Sequence, residues 1–77
     1  MRTFSEVARE IRAKWPKPYF GAVPYLDVLE QVHSSDKNTI YMVERVRDLV
    51  AYLLCNMNTF RGEDARRLKA ELKEMIK

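Results

Sequence analysis

His33 is the only histidine of the chain and Cys55 the only cysteine. Metal binding or nucleophilic catalysis by either needs partners at a defined spacing. His33 opens a polar run to Asn38, and no cluster of cysteines or carboxylates lies at ligand spacing around it. It reads as a loop histidine. Cys55 abuts an apolar run with no histidine nearby, so it is expected to be a buried, inert thiol. A Gly-rich phosphate loop, a G-x-S-x-G elbow and an H-E-x-x-H helix are all missing from the sequence. Carboxylates do occur in pairs, Glu63 with Asp64 and Glu6 with Glu10, but each pair stands among basic residues. Such pairs read as solvated ion-pair partners. The expectation is a protein that is not an enzyme, with no catalytic, metal-binding or cofactor-binding residues.

The remaining chemistry is that of charge. The net charge is +3, yet it is unevenly spread: residues 61–77 hold six bases against four acids, and residues 1–19 five against two. At 100° per residue, Arg66, Lys69, Lys73 and Lys77 fall in an arc of about 80° beside the apolar stripe of a C-terminal helix. Glu63, Asp64, Glu71 and Glu74 take the opposite flank. Arg67 stands at i,i+4 spacing from Glu63 and from Glu71, which predicts ion pairs within the helix. Arg2, Arg9 and Arg12 group in the same way near the N-terminus, apart from Glu6 and Glu10. Trp15, Tyr19, Phe20 and Tyr25, threaded with Lys14 and Lys17, make a second candidate, because aromatic and basic residues are enriched at binding hot spots. In a chain this small, Trp15 and Phe20 are expected to be core, with Tyr19 and Tyr41 as surface anchors. The candidate partner contacts are therefore Arg66, Lys69, Lys73, Lys77, Arg9, Arg12, Lys17 and Tyr19.

Helices must position these residues. Phe4, Val7, Ala8, Ile11 and Trp15 recur at helical spacing over residues 3–14, and Thr3 with Glu6 matches a capping box. Pro16 and Pro18 end that helix. A second helix is expected over residues 23–33, with Pro24 in its first turn and Tyr25, Leu26, Val28, Leu29 and Val32 on its inner face. The third, over residues 38–56, is predicted to be the longest and to be central. Met42, Val43, Val46, Leu49, Val50, Leu53, Leu54 and Met57 give it an apolar arc of about 140°. The fourth follows over residues 61–77, with Ala65, Leu68, Leu72, Met75 and Ile76 as its stripe and Phe60 plugging the junction before it. Gly62 in the first turn costs about 1 kcal/mol of helix propensity, which suggests a close backbone approach. The predicted class is all-α: one compact domain, residues 1–77, of about four helices.

Seventy-seven residues exclude a doubly wound sheet, a TIM barrel or a second substrate domain. At 47% hydrophobic and 32% charged, with two glycines, the chain is not disordered or low-complexity. The longest apolar run, Leu49 to Cys55, is far short of the ~20 residues of a membrane span. Arg9, Glu10, Arg12 and Lys14 interrupt any signal-peptide core. A soluble, cytoplasmic protein with no membrane partner is expected, and a core this small would gain from homo-oligomerisation.

Two strings, residues 19–26 (YFGAVPYL) and 59–67 (TFRGEDARR), with residues 69–73 (KAELK), resemble a group of short proteins of phages and prophages. The resemblance spans nearly the whole chain. In that group the position of Phe60 is often tryptophan. No functional motif comes with it, so it carries no site residue over. It implies context: small phage proteins commonly bind and inhibit, sequester or redirect a host component, with anti-restriction and anti-CRISPR proteins as one outcome.

The sequence reading is thus a non-enzymatic binding protein of phage or prophage origin whose partner is a host protein. The rival is a small helical DNA-binding regulator. Against it, the connections do not suit a helix–turn–helix, and the acids nearly balance the bases. Weak, non-specific contact with nucleic acid is all that the basic flanks imply. A third reading is an oligomeric sponge for a small ligand or nucleotide.

Overall fold

The computed structural model describes residues 2–77. Four helices dominate: α1 (Phe4–Lys14), α2 (Val23–Leu29), α3 (Val46–Cys55) and α4 (Glu63–Met75). Between α2 and α3 lies a two-stranded antiparallel sheet of β1 (Ile40–Tyr41) and β2 (Glu44–Arg45), with Ile40 opposite Arg45 and Tyr41 opposite Glu44.

The first helix begins where the sequence says it should. Thr3 Oγ1 accepts from the Glu6 N–H at 3.2 Å and Glu6 Oε1 accepts from the Thr3 N–H at 2.9 Å, completing the capping box. Two further N–H groups at this end donate to the segment after α2, Phe4 to Ser34 O and Ser5 to Val32 O, each at 2.9 Å. Ser5 is buried, and its hydroxyl donates to Glu30 O at 2.8 Å. The start of α1 is therefore satisfied by a neighbouring segment as well as by its own cap. Phe4, Val7, Ala8 and Ile11 are fully buried, and the helix packs on α2 along one side and α4 along another.

Pro24 opens α2 as expected, but the helix ends at Leu29 and relaxes into tighter turns, Gln31 N–H to Val28 O and Val32 N–H to Leu29 O. The larger departure concerns the third helix. Residues 38–39 lead into a hairpin of residues 40–45 instead of forming helix, so α3 has 10 residues and α4, with 13, is the longest. Met42 and Val43, assigned to the buried stripe, sit at the hairpin turn with 85% and 94% of their surface exposed. Met42 takes a φ of 60°, which asparagine or glycine adopts far more readily. The register explains the switch. Thr39, Ile40 and Tyr41 suit extended backbone, and the Asp36 carboxylate accepts the Asn38 N–H at 2.9 Å, turning the chain just before β1.

The cluster of fully buried residues joins all four helices, through Leu26 and Leu29 of α2, Val46, Val50 and Leu53 of α3, and Leu68 and Leu72 of α4. Met57 and Phe60 close it between α3 and α4. Phe60 stacks on Trp15 with ring centroids 5.1 Å apart. It thus joins the end of α1 to the start of α4 as well as filling the junction. Phe20, in contrast, is 79% exposed. Its ring lies against Tyr19 at 4.7 Å instead of entering the core.

Candidate functional site

The docking of α1 against α4 decides which charges remain free. Arg2 donates to Glu10 Oε1 at 2.7 Å and, through two nitrogens, to both carboxylate oxygens of Glu71. Arg67 donates to Glu10 Oε2 at 2.5 Å and to Asp64 at 3.1 Å, and Lys14 stands 3.8 Å from Asp64. Glu10 thus holds two guanidiniums, which lower its carboxyl to a pKa of about 2. The bonds to Glu71 and then Glu10 raise the proton affinity of Arg2, and those to Glu10 and then Asp64 raise that of Arg67. Asp64 and Glu71, on the acidic flank of α4, are tied into this network. The pairs expected within the helix, Glu63 with Arg67 and Arg67 with Glu71, do not form, because Arg67 turns to Glu10 and Asp64.

On the basic flank only Lys77 has such a partner among the described residues, Glu74. Arg66 and Lys73 are exposed and Lys69 is half-buried, and none has a carboxylate within ion-pair distance among the described residues. Arg61 joins them from the segment before α4, anchored by a bond from Nε to Asn58 O at 3.2 Å. Phe60, Arg61, Gly62, Ala65, Arg66 and Lys69 line an open cavity of about 350 Å³. The Lys69 ammonium lies over the Phe60 ring, 6.0 Å from its centroid. Partial burial lowers the proton affinity of Lys69, and the neighbouring charges of Lys73 and Arg61 lower it further. These cations are held together without a counter-charge.

Gly62 is the N-cap of α4, with a φ of 109° and no side-chain cap. No atom lies within 4 Å of where its Cβ would stand. The close approach expected at this glycine is absent, and the backbone angle is what requires glycine.

The other candidate contacts divide. Arg12 is engaged: Nη2 lies 2.5 Å from Asp27 and Nε 2.7 Å from Glu30, fastening α1 to α2. Lys77 lies 3.3 Å from Glu74, and its backbone carbonyl accepts from Lys37. Arg9 and Lys17 are exposed and unpaired among the described residues. Tyr19, 42% exposed, helps line a second cavity of about 300 Å³ with Cys55, Asn56, Asn58 and Thr59. Cys55 is exposed, which corrects the expectation of a buried thiol. The last turn of α3 carries it to the rim of this cavity, while Leu53 and Met57 face the core. Gly21 sets the shape of the wall, since a Cβ there would stand 2.8 Å from Asn56 Oδ1 and 2.7 Å from the Tyr19 ring.

Sequence reasoning thus found three of the four cations at the site and missed Arg61, which precedes the helix and lies outside its periodicity. It also missed the exposed apolar hairpin tip. Among the described residues, no group of three or more His, Cys, Asp or Glu side chains could hold a metal ion, and no helix is long and apolar enough to cross a membrane. No family model, curated protein or solved structure matches the chain.

Proposed function

We propose that the protein is a non-enzymatic binding protein, of phage or prophage origin, that engages an acidic surface of a host protein through the basic flank of α4. One observation carries this reading. Two of the four acids of α4, Asp64 and Glu71, are held by Lys14, Arg67 and Arg2, while Arg61, Arg66, Lys69 and Lys73 have no carboxylate within ion-pair distance among the described residues. An unpaired cluster of one sign attracts a complementary surface and speeds encounter with it.

The test is affinity purification from expressing cells, with and without nuclease treatment, of the wild-type chain and of the triple variant Arg66→Gln, Lys69→Gln, Lys73→Gln. The wild type is expected to retain a protein partner that the folded variant loses. Recovery of the same partner by both would return the basic flank to a solvated surface. Recovery of nucleic acid alone would favour the DNA-binding reading.

A further inference from the structure

We infer that the cavity at the start of α4 is a receptor for a phosphate monoester, with Arg61, Arg66 and Lys69 as the groups that hold it. This rests on the reading of the basic flank as the binding surface and names the chemistry that the surface recognises. Three cations border one cavity of about 350 Å³, and neither Glu63 nor Asp64 is among its lining residues. Asp64 is held by Arg67 and Lys14 on the other flank of the helix. The number of charges selects the ligand. A carboxylate brings one negative charge and two oxygens, which would leave part of this cluster unanswered. A phosphate monoester brings about −1.5 to −2 charges at neutral pH and three terminal oxygens. It thus offers one oxygen to each of Arg61, Arg66 and Lys69, and guanidinium forks suit phosphate geometry.

Convergence on one cavity also separates a monoester from a nucleic-acid backbone. Diester phosphates carry a single charge each and are spread along a strand, and they call for cations in a row. Here only Lys73 and Lys77 continue the row beyond the cavity lining, and Lys77 is paired with Glu74. The position is held firmly: Phe60 beneath Lys69 is stacked on Trp15, and Arg61 is fixed by Asn58 O. Burial, and after it the charges of Lys73 and Arg61, lower the proton affinity of Lys69, and a dianion arriving in the cavity relieves that repulsion.

The experiment is a titration of the isotope-labelled full chain, followed by amide chemical shifts at physiological salt. The probes are phosphoserine, glucose 6-phosphate, dimethyl phosphate and a short DNA duplex. Both monoesters are expected to give saturable shifts centred on Gly62, Ala65 and Lys69, with dimethyl phosphate giving none. Arg66→Gln and Lys69→Gln should each weaken binding about tenfold or more, the loss typical of a hydrogen bond to a charged group. Arg66 is exposed, so its variant keeps the fold even where Lys69→Gln disturbs Phe60. Tighter binding of phosphoserine would identify a phosphorylated side chain as the source, and equal binding a small organic phosphate. The proposal is overturned by shifts that do not saturate, by unchanged affinity in Arg66→Gln, or by DNA binding more tightly than either monoester. If the monoesters fail while the triple glutamine variant still loses its protein partner, the partner presents carboxylates and only this inference falls. If they bind while the variant keeps its partner, the inference stands and the protein-binding reading falls.

Discussion

Glu10 carries more of the fold than a surface carboxylate usually does. It accepts from Arg2 of the N-terminal segment and from Arg67 of α4, and its carboxyl is lowered from 4.5 to about 2. A lowered carboxyl contributes stability that is present above its unfolded value and lost as pH falls through the folded one. Glu10→Gln is therefore expected to melt below the wild type at neutral pH. The gap should close as pH falls from about 4.5 to about 2; a gap that persists at pH 2 would place the effect outside the ion pairs. Two backbone positions make a contrasting pair. Met42 is exposed and holds a φ of 60°, while Gly62 is exposed and holds 109°. Met42→Gly removes the conformational penalty at the cost of a more flexible unfolded chain, so a net gain of up to about 1 kcal/mol is expected. Gly62→Ala introduces a penalty and should lose about 1 kcal/mol or more. Urea denaturation of both variants checks the pair, and a destabilised Met42→Gly would show that the methionine side chain is held by contacts. Of the residue-scale features, the Thr3–Glu6 cap was legible because both partners lie within one turn. The exposure of Cys55 was not, because a single residue beside an apolar run can fall on either side of the helix.

Among the elements, α3 shows where helical periodicity misleads. Met42 and Val43 fall on the same 100° arc as Val46, Val50 and Leu53, yet they form the turn of a hairpin. The usual Asn-Gly signal of a two-residue turn is absent, and the positive φ falls on a methionine. The fraying of α2 after Leu29 has a similar origin, since Val32 reaches the core through a tight turn and needs no further helix. Packing on α3 now separates two leucines that the sequence treated alike. Leu53 is fully buried within the core cluster, whereas Leu49 is 8% exposed and lies outside it. Leu53→Ala should cost ~2–5 kcal/mol and Leu49→Ala distinctly less. Equal losses in chemical denaturation would put Leu49 back in the core and the hairpin assignment in doubt. The basic stripe of α4 was readable from spacing alone. Which bases stay free was not, because that depends on Arg2 meeting Glu71 and Arg67 meeting Glu10, contacts 69 and 57 residues apart in the chain.

The whole molecule is compact, with a radius of gyration of 11.1 Å, close to the ~11 Å expected for a folded chain of this length. Its net charge of +3 is small. Among the described residues, the ion pairs leave Arg61, Arg66, Lys69 and Lys73 unpaired on one flank of α4 and the segment before it, with Arg9 and Lys17 unpaired elsewhere. If Arg61, Arg66, Lys69 and Lys73 each neutralised one DNA phosphate, log affinity would fall against log salt with a slope of about −0.9 × 4, or roughly −3.6. Binding of that kind is expected to be non-specific and no tighter than about micromolar at physiological salt, and an anisotropy titration on two unrelated duplexes checks it. The central claim is that the unpaired flank is the working surface. It is tested most directly by the dissociation constant of the purified partner for the wild type and for the Arg66→Gln, Lys69→Gln, Lys73→Gln variant, measured across a salt series. Loss of the three charges is expected to weaken binding by at least about tenfold at physiological salt, with melting unchanged. The difference should narrow as salt rises, because exposed charges are screened within about 8 Å at physiological ionic strength and within about 3 Å at 1 M. Equal dissociation constants at low salt, where the charges act at full strength, would contradict the claim.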